Sequence, residues 1–357
     1  MSSAPSLEAV RLEAARLRRR FVVGMALVAI LAMVAMALGL SFGAVHVPIG
    51  QVGQIVYRHV FGIHTGVSAS DSIIWRIRAP RVALGFIVGA TLAVVGVAIQ
   101  ALVRNPIADP YVLGIESGAA AAAVGVLFVG QVTSAGSVIG STTAAFFGAL
   151  GTLVLVFVLA RRRGRVSSTR LLLVGVALSF AFGGITNFFI YLSPNTLAQE
   201  QLLFWLGGGL SAAEWNQIPL AAAILVAVYV ALRYRARALN ALAMGDANAS
   251  AVGVDPDRFR IQLLIITSLA VAAVVPIAGP IGFVGLVVPH VGRLMFGAEH
   301  TRLLPAAALI GGFYLVAVDL LGRVIFAPGE IPLGAMTAVI GTPVFLWLLN
   351  TREGGVE

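Results

Sequence analysis

Long uncharged runs alternate along the whole chain with short breaks rich in arginine, proline or glycine. At 73–81 the sequence IIWRIRAPR carries three arginines in nine residues, and the VALGFIVGATLAVVGVAIQALV that follows carries no charge. Apolar runs of ~18 residues or more mark membrane-spanning helices. Spans are predicted near 21–43, 82–103, 112–130, 138–160, 171–192, 215–232, 261–279, 284–296, 303–325 and 332–350. Ten spans return the chain to the side on which it began. The run at 284–296 is shorter than the ~17 residues needed to cross, so a short or re-entrant helix that turns at a protein-lined site is expected there. The prediction is an all-α, polytopic membrane protein. It divides into a basic segment 1–20, one transmembrane domain over 21–350 and a tail 351–357.

Charge fixes the orientation. With the N-terminus inside, 19 arginines fall in cytoplasmic segments and five outside, namely Arg58, Arg76, Arg78, Arg81 and Arg323. That asymmetry follows the positive-inside rule and makes both termini cytoplasmic. The cluster at 76–81 runs against it. The block Arg16, Arg18, Arg19 and Arg20 precedes an apolar run longer than the ~7–15 residues of a cleaved signal, so an uncleaved first span is expected.

Composition removes several functions. The chain is 59% hydrophobic and 11% charged, and all 24 of its Lys+Arg residues are arginine. A GxxxxGK[ST] phosphate loop needs a lysine, so any nucleotide energy has to come from a partner. With no cysteine, disulfides, thiolate metal sites and cysteine nucleophiles are excluded. The net charge of +9 sits in short blocks between spans, which is a topological pattern and not a nucleic-acid face. GIESGA fails the GxSxG spacing of a serine hydrolase, and the HExxH of a zinc protease is absent. The scattered histidines read as ordinary loop residues.

A few local features stand out. Segment 239–257, LNALAMGDANASAVGVDPD, is cytoplasmic, rich in small residues and too long for a simple turn; it reads as a docking element or as a solvated loop. Asp319 and Arg323 are four apart on one helix face, which favours a local ion pair over a proton relay. Glu116 has no base near it in sequence. Glycine pairs such as Gly85 with Gly89, or Gly136 with Gly140, read as helix packing positions.

Taken together and in order from about 40 to 350, the stretches RAPRVALGFIVGATLAVVGVAIQALVRNPIADPYVLGIESGAA, FWLGGGLSAAEW, LNALAMGDANASAVGVD, GPIGFVGLVVPHVGRLMFG and GRVIFAPGEIPLGAMTAVIGTPVFLWLL resemble the FecCD/BtuC-type permease subunits of bacterial ABC importers for iron-siderophores, haem and vitamin B12. The resemblance implies a multi-pass subunit of the bacterial inner membrane that imports a metal chelate, iron-siderophore or haem first and vitamin B12 as the alternative. It implies a second copy of the chain, two cytoplasmic ATPase subunits that bind ATP and Mg, and one external, periplasmic or lipid-anchored binding protein. No cofactor or metal is expected on this chain, and no catalytic site. Carried over by position, docking of the binding protein falls on Arg78, Arg81 and Arg323 with Arg76 beside them. ATPase coupling falls on Leu242, Gly245, Asp246, Ala249, Val252 and Gly253. The cytoplasmic gate falls on Asn105, Ile107, Ser168 and Thr169. A competing expectation is a proton-coupled secondary transporter with Asp319 and Glu116 as the relay.

Overall fold

The structure, a computed structural model, describes residues 7–63, 68–133, 140–162, 165–166, 168–193, 196–327 and 329–353. In chain order the helices are α1 (Leu7–Ser41), α2 (Ile49–Val60), α3 (Ala69–Asp71), a π-helical stretch Ser72–Arg78, α4 (Ala79–Val103), α5 (Ile115–Thr133), α6 (Ser141–Ala160), α7 (Ser168–Tyr191), α8 (Thr196–Leu206), α9 (Ile218–Tyr234), α10 (Ala236–Ala243), α11 (Asp246–Ala251), α12 (Pro256–Ala278), α13 (Val284–Phe296), α14 (His300–Ile325) and α15 (Leu333–Glu353). Two-residue strands at Arg161–Arg162 and Arg165–Val166 pair antiparallel at the turn between α6 and α7. Among the described residues eight helical runs are long and apolar enough to cross a membrane, and Val284–Phe296 and Leu333–Trp347 add two shorter ones. These are the ten expected spans.

Helix α4 is the centre of the bundle. Of its 25 residues 22 are buried, and α14, α13, α9 and α12 pack around it. Glycine permits the closest of these approaches. A Cβ at Gly89 would lie 2.2 Å from the carbonyl oxygen of Gly311, and one at Gly96 would lie 2.1 Å from that of Gly285, so backbone meets backbone at both points. Gly85 faces Leu210 and Val316; of the second suggested pair, Gly140 has open space around it and Gly136 lies outside the described residues.

Several boundaries differ from the sequence prediction. Residues 7–20, expected as a separate basic segment, continue α1, because nothing in LEAVRLEAARLRRR breaks a helix. The RIRAPR cluster is itself helical: a π-helical stretch runs straight into α4, and Pro80, which has no N–H to donate, lies just past the junction where the hydrogen-bond pattern changes. Outside the spans, α2 buries only Val52 and Ile55 against Val47 and Ile74. At twelve residues it is too short for the hydropathy pattern to flag.

Candidate functional site

At the outer end of α4 three guanidinium groups converge. Arg78 donates from Nη1 to the carbonyls of Leu40 (2.9 Å) and Ser41 (2.8 Å), and from Nη2 to that of Val45. It thereby satisfies carbonyls that the end of α1 leaves without helical partners. Arg81 donates from Nε to Asp319 (3.0 Å), holds Asp319 again through Nη2 (2.9 Å), and reaches Glu330 through Nη1 at 2.7 Å. Arg323 lies 3.0 Å from Asp319, one turn away on α14, and donates to the carbonyl of Gly39 at 3.2 Å. The i,i+4 ion pair expected from the sequence is thus present. All three arginines are at most 7% exposed, so the free forks expected at Arg78 and Arg81 are already engaged within the chain. Two donors on Arg323, Nε and Nη2, are buried without a hydrogen bond; Nη2 sits at ion-pair distance from Asp319 but in poor geometry for one. The three arginines, Gly43, Ile77 and Glu330 help line a cavity of about 210 Å³. Arg76, one turn earlier, is exposed.

Below this cluster three interruptions of the helices meet. Gly208 (φ +66°) and Gly279 (φ +66°) lie back to back: a Cβ on Gly208 would come 2.2 Å from the carbonyl oxygen of Pro280. Backbone that leaves helical geometry inside a membrane protein has to find partners in the protein. Here Gly209 N–H donates to Ala278, Leu333 N–H to Gly208 and Gly334 N–H to Gly207. The hydroxyl of Tyr111 accepts from Ile281 N–H (2.9 Å) and donates to the Ile281 carbonyl (2.5 Å). Asp109 caps the turn at Tyr111 and also accepts from the backbone of Phe283; burial still pushes its carboxyl up to about 6. The short α13 therefore starts at a protein-lined break, as its length predicted. Glu116, in the first turn of α5, is half-buried.

On the cytoplasmic side α10 and α11 form the small-residue segment. Leu242 and Ala249 point inward and are fully buried, whereas Met244 and Val252, each 67% exposed, and Gly253 form the tip. Gly245 (φ +115°) makes the turn between the two helices. Asp246 accepts from Arg260 at 2.6 Å and lies 3.5 Å from Arg104, the left-handed residue (φ 55°) that ends α4. Next to Arg104, the side chain of Asn105 accepts from Ile107 N–H, and Ile107 is exposed. Ser168 and Thr169 open α7, with Thr169 exposed. Sequence reading missed Glu330, Tyr111 and the Arg104–Asp246–Arg260 triad. Glu330 had a signal, being the only charged residue between Arg323 and Arg352.

The model of the FecCD transport family matches residues 30–351. This chain belongs to that family. As a FecCD protein it is a permease subunit of an ABC importer and a multi-pass protein of the cytoplasmic membrane. It is 41% identical over 281 residues to the cobalamin import system permease BtuC of Halobacterium salinarum, covering 79% of this chain and 74% of that one. It is 36% identical to the hemin transport permease HmuU of Yersinia pestis, covering 80% and 86%. Its fold matches a solved ABC transporter of the metal-chelate type in an inward-facing conformation, with a TM-score of 0.78 at 28% identity over 92% of this chain and 98% of that one. The FecCD assignment removes the proton-coupled secondary transporter, and the pairing of Asp319 with two arginines accounts for that buried acid without a relay.

Proposed function

We propose that this FecCD permease pairs with a second copy of itself, two cytoplasmic ATPase subunits carrying ATP and Mg, and one external binding protein, and imports a bulky metal chelate by alternating access. Among chelates, cobalamin has the strongest support from the names of the relatives and haem follows; an iron-siderophore rests on the resemblance alone. A close-packing surface for the second copy is supported by Gly183 and Gly184 on α7, which have open space around them beside the exposed Phe180. The exposed apolar tip at Met244 and Val252 suits a groove on an ATPase subunit. It is tied through Asp246 to Arg104, which directly precedes the proposed gate residues Asn105 and Ile107; Ser168 and Thr169 complete the proposed gate from the start of α7. The observation that carries the docking reading is the outer cavity: three guanidinium groups line it, and against two carboxylates they leave one positive charge to attract a further carboxylate.

The test uses the external binding protein that partners this permease. Mass spectrometry of its bound ligand identifies the chelate, and its affinity for the reconstituted permease is measured with and without Arg76→Glu. Weaker docking of that variant, most pronounced at low salt, is expected. Unchanged docking at low salt sinks the arginine surface as the contact.

A further inference from the structure

The outer cavity already contains a carboxylate. Glu330 reaches Arg81 at 2.7 Å across the cavity mouth, and its side chain is 38% exposed, whereas Asp319 beneath it is 3% exposed. Asp319 is a fixed part of the fold, held by two arginines from two helices. Glu330 has a single partner and sits on the outer loop between α14 and α15. The two carboxylates on Arg81 thus differ in how easily they can leave. Two residues past Glu330, Pro332 packs on Gly207, and the next two backbone N–H groups, of Leu333 and Gly334, bind Gly208 and Gly207. Any displacement of Glu330 therefore pulls on the junction where the interruptions after α8, after α12 and before α15 meet.

We propose that Glu330 occupies, in the undocked permease, the place that a carboxylate of the external binding protein takes on docking. This inference rests on the docking reading above. Docking is then an exchange of one carboxylate for another on Arg81, with the positive charge of Arg323, which lines the same cavity, adding to the attraction on the incoming group. The exchange is near-neutral in charge for Arg81. Its free energy goes instead into releasing Glu330 and the residues 329–332 that lead into α15, which is how an event at the outer surface reaches Gly207 and Gly208. An unexchanged cluster would gain affinity from docking but would move nothing.

The experiment compares Glu330→Gln with the native sequence in nanodiscs, using the external binding protein that partners this permease as the probe. Glu330 is part-exposed, so the variant is expected to fold, and its unfolding midpoint checks this. Removing the competitor leaves the cluster one charge more positive. Docking is expected to tighten about two- to fivefold, the range of one partly exposed ion pair, and to become more salt-dependent. A fluorophore on a cysteine placed at Ala327, in this naturally cysteine-free chain, is expected to respond to docking in the native background and to lose that response in Glu330→Gln. Docking that is unchanged or weaker in Glu330→Gln, while Arg76→Glu weakens it, overturns the exchange and leaves the docking surface standing. If neither variant changes docking, both readings fail together.

Discussion

Asp319→Asn tests the physics of the outer cluster most directly. The carboxylate is 3% exposed and serves two buried arginines, Arg81 at 2.9 Å and Arg323 at 3.0 Å. Removing one partner of a buried ion pair costs about 3–5 kcal/mol, because the remaining charge stays desolvated. Asparagine keeps one acceptor oxygen and Arg81 keeps Glu330, which places the expected loss near the lower bound, about 3 kcal/mol. The compensated variant Asp319→Leu with Arg323→Leu removes one charge of each sign and leaves Arg81 paired with Glu330. Apolar replacement of both members of a buried pair is typically neutral or stabilising, so this variant should recover most of the loss. The assay is denaturant or thermal unfolding of purified protein in detergent, alongside ATP-driven uptake in proteoliposomes. A single substitution that costs less than about 0.5 kcal/mol, or a double variant less stable than the single one, refutes the reasoning.

Gly96→Ala should lower stability by about 1–3 kcal/mol, since its Cβ would lie 2.1 Å from the Gly285 carbonyl oxygen and force α4 and α13 apart; Gly151→Ala, with open space around the site, should be neutral by the same unfolding measurement. The raised carboxyl of Asp109 makes a pH prediction: its contribution to stability is fully present below the ordinary value of 3.8 and is lost as pH rises through about 6. The stability difference between the native protein and Asp109→Asn should therefore fall by roughly 2–3 kcal/mol between pH 4 and pH 7, and a flat difference contradicts it.

Most of the span map was legible because long apolar runs leave no alternative to a helix, and the short α13 was legible because thirteen residues cannot cross. The elements that were missed are short. Helix α2 is amphipathic with only two inward residues, and α8, which opens on the polar TLAQEQ, ends in an interruption that depends on Gly208 meeting Pro280 far along the chain. The site was legible as a set of positions but not as an arrangement. External arginines in a protein that keeps arginine inside were visible as an anomaly; that Arg78 is consumed by carbonyls of α1 depends on how α1 ends, which hydropathy does not encode. Likewise, Leu242 and Ala249 share the cytoplasmic segment with Val252, yet only the packing of α10 and α11 reveals that the first two face inward.

The backbone contacts at Gly89 and Gly96 have a mechanical consequence. Helix α4 has 25 residues, about 37 Å at ~1.5 Å per residue, with the arginine cluster at its head and Arg104, tied to Asp246, at its foot. Gripped at two levels of one face, about two turns apart, with no side chains to compress, it resists bending there and tilts as a stiff spar. A pull on its head then swings its foot in the opposite direction, so the two faces of the membrane are geared through one body instead of a succession of rotamer changes.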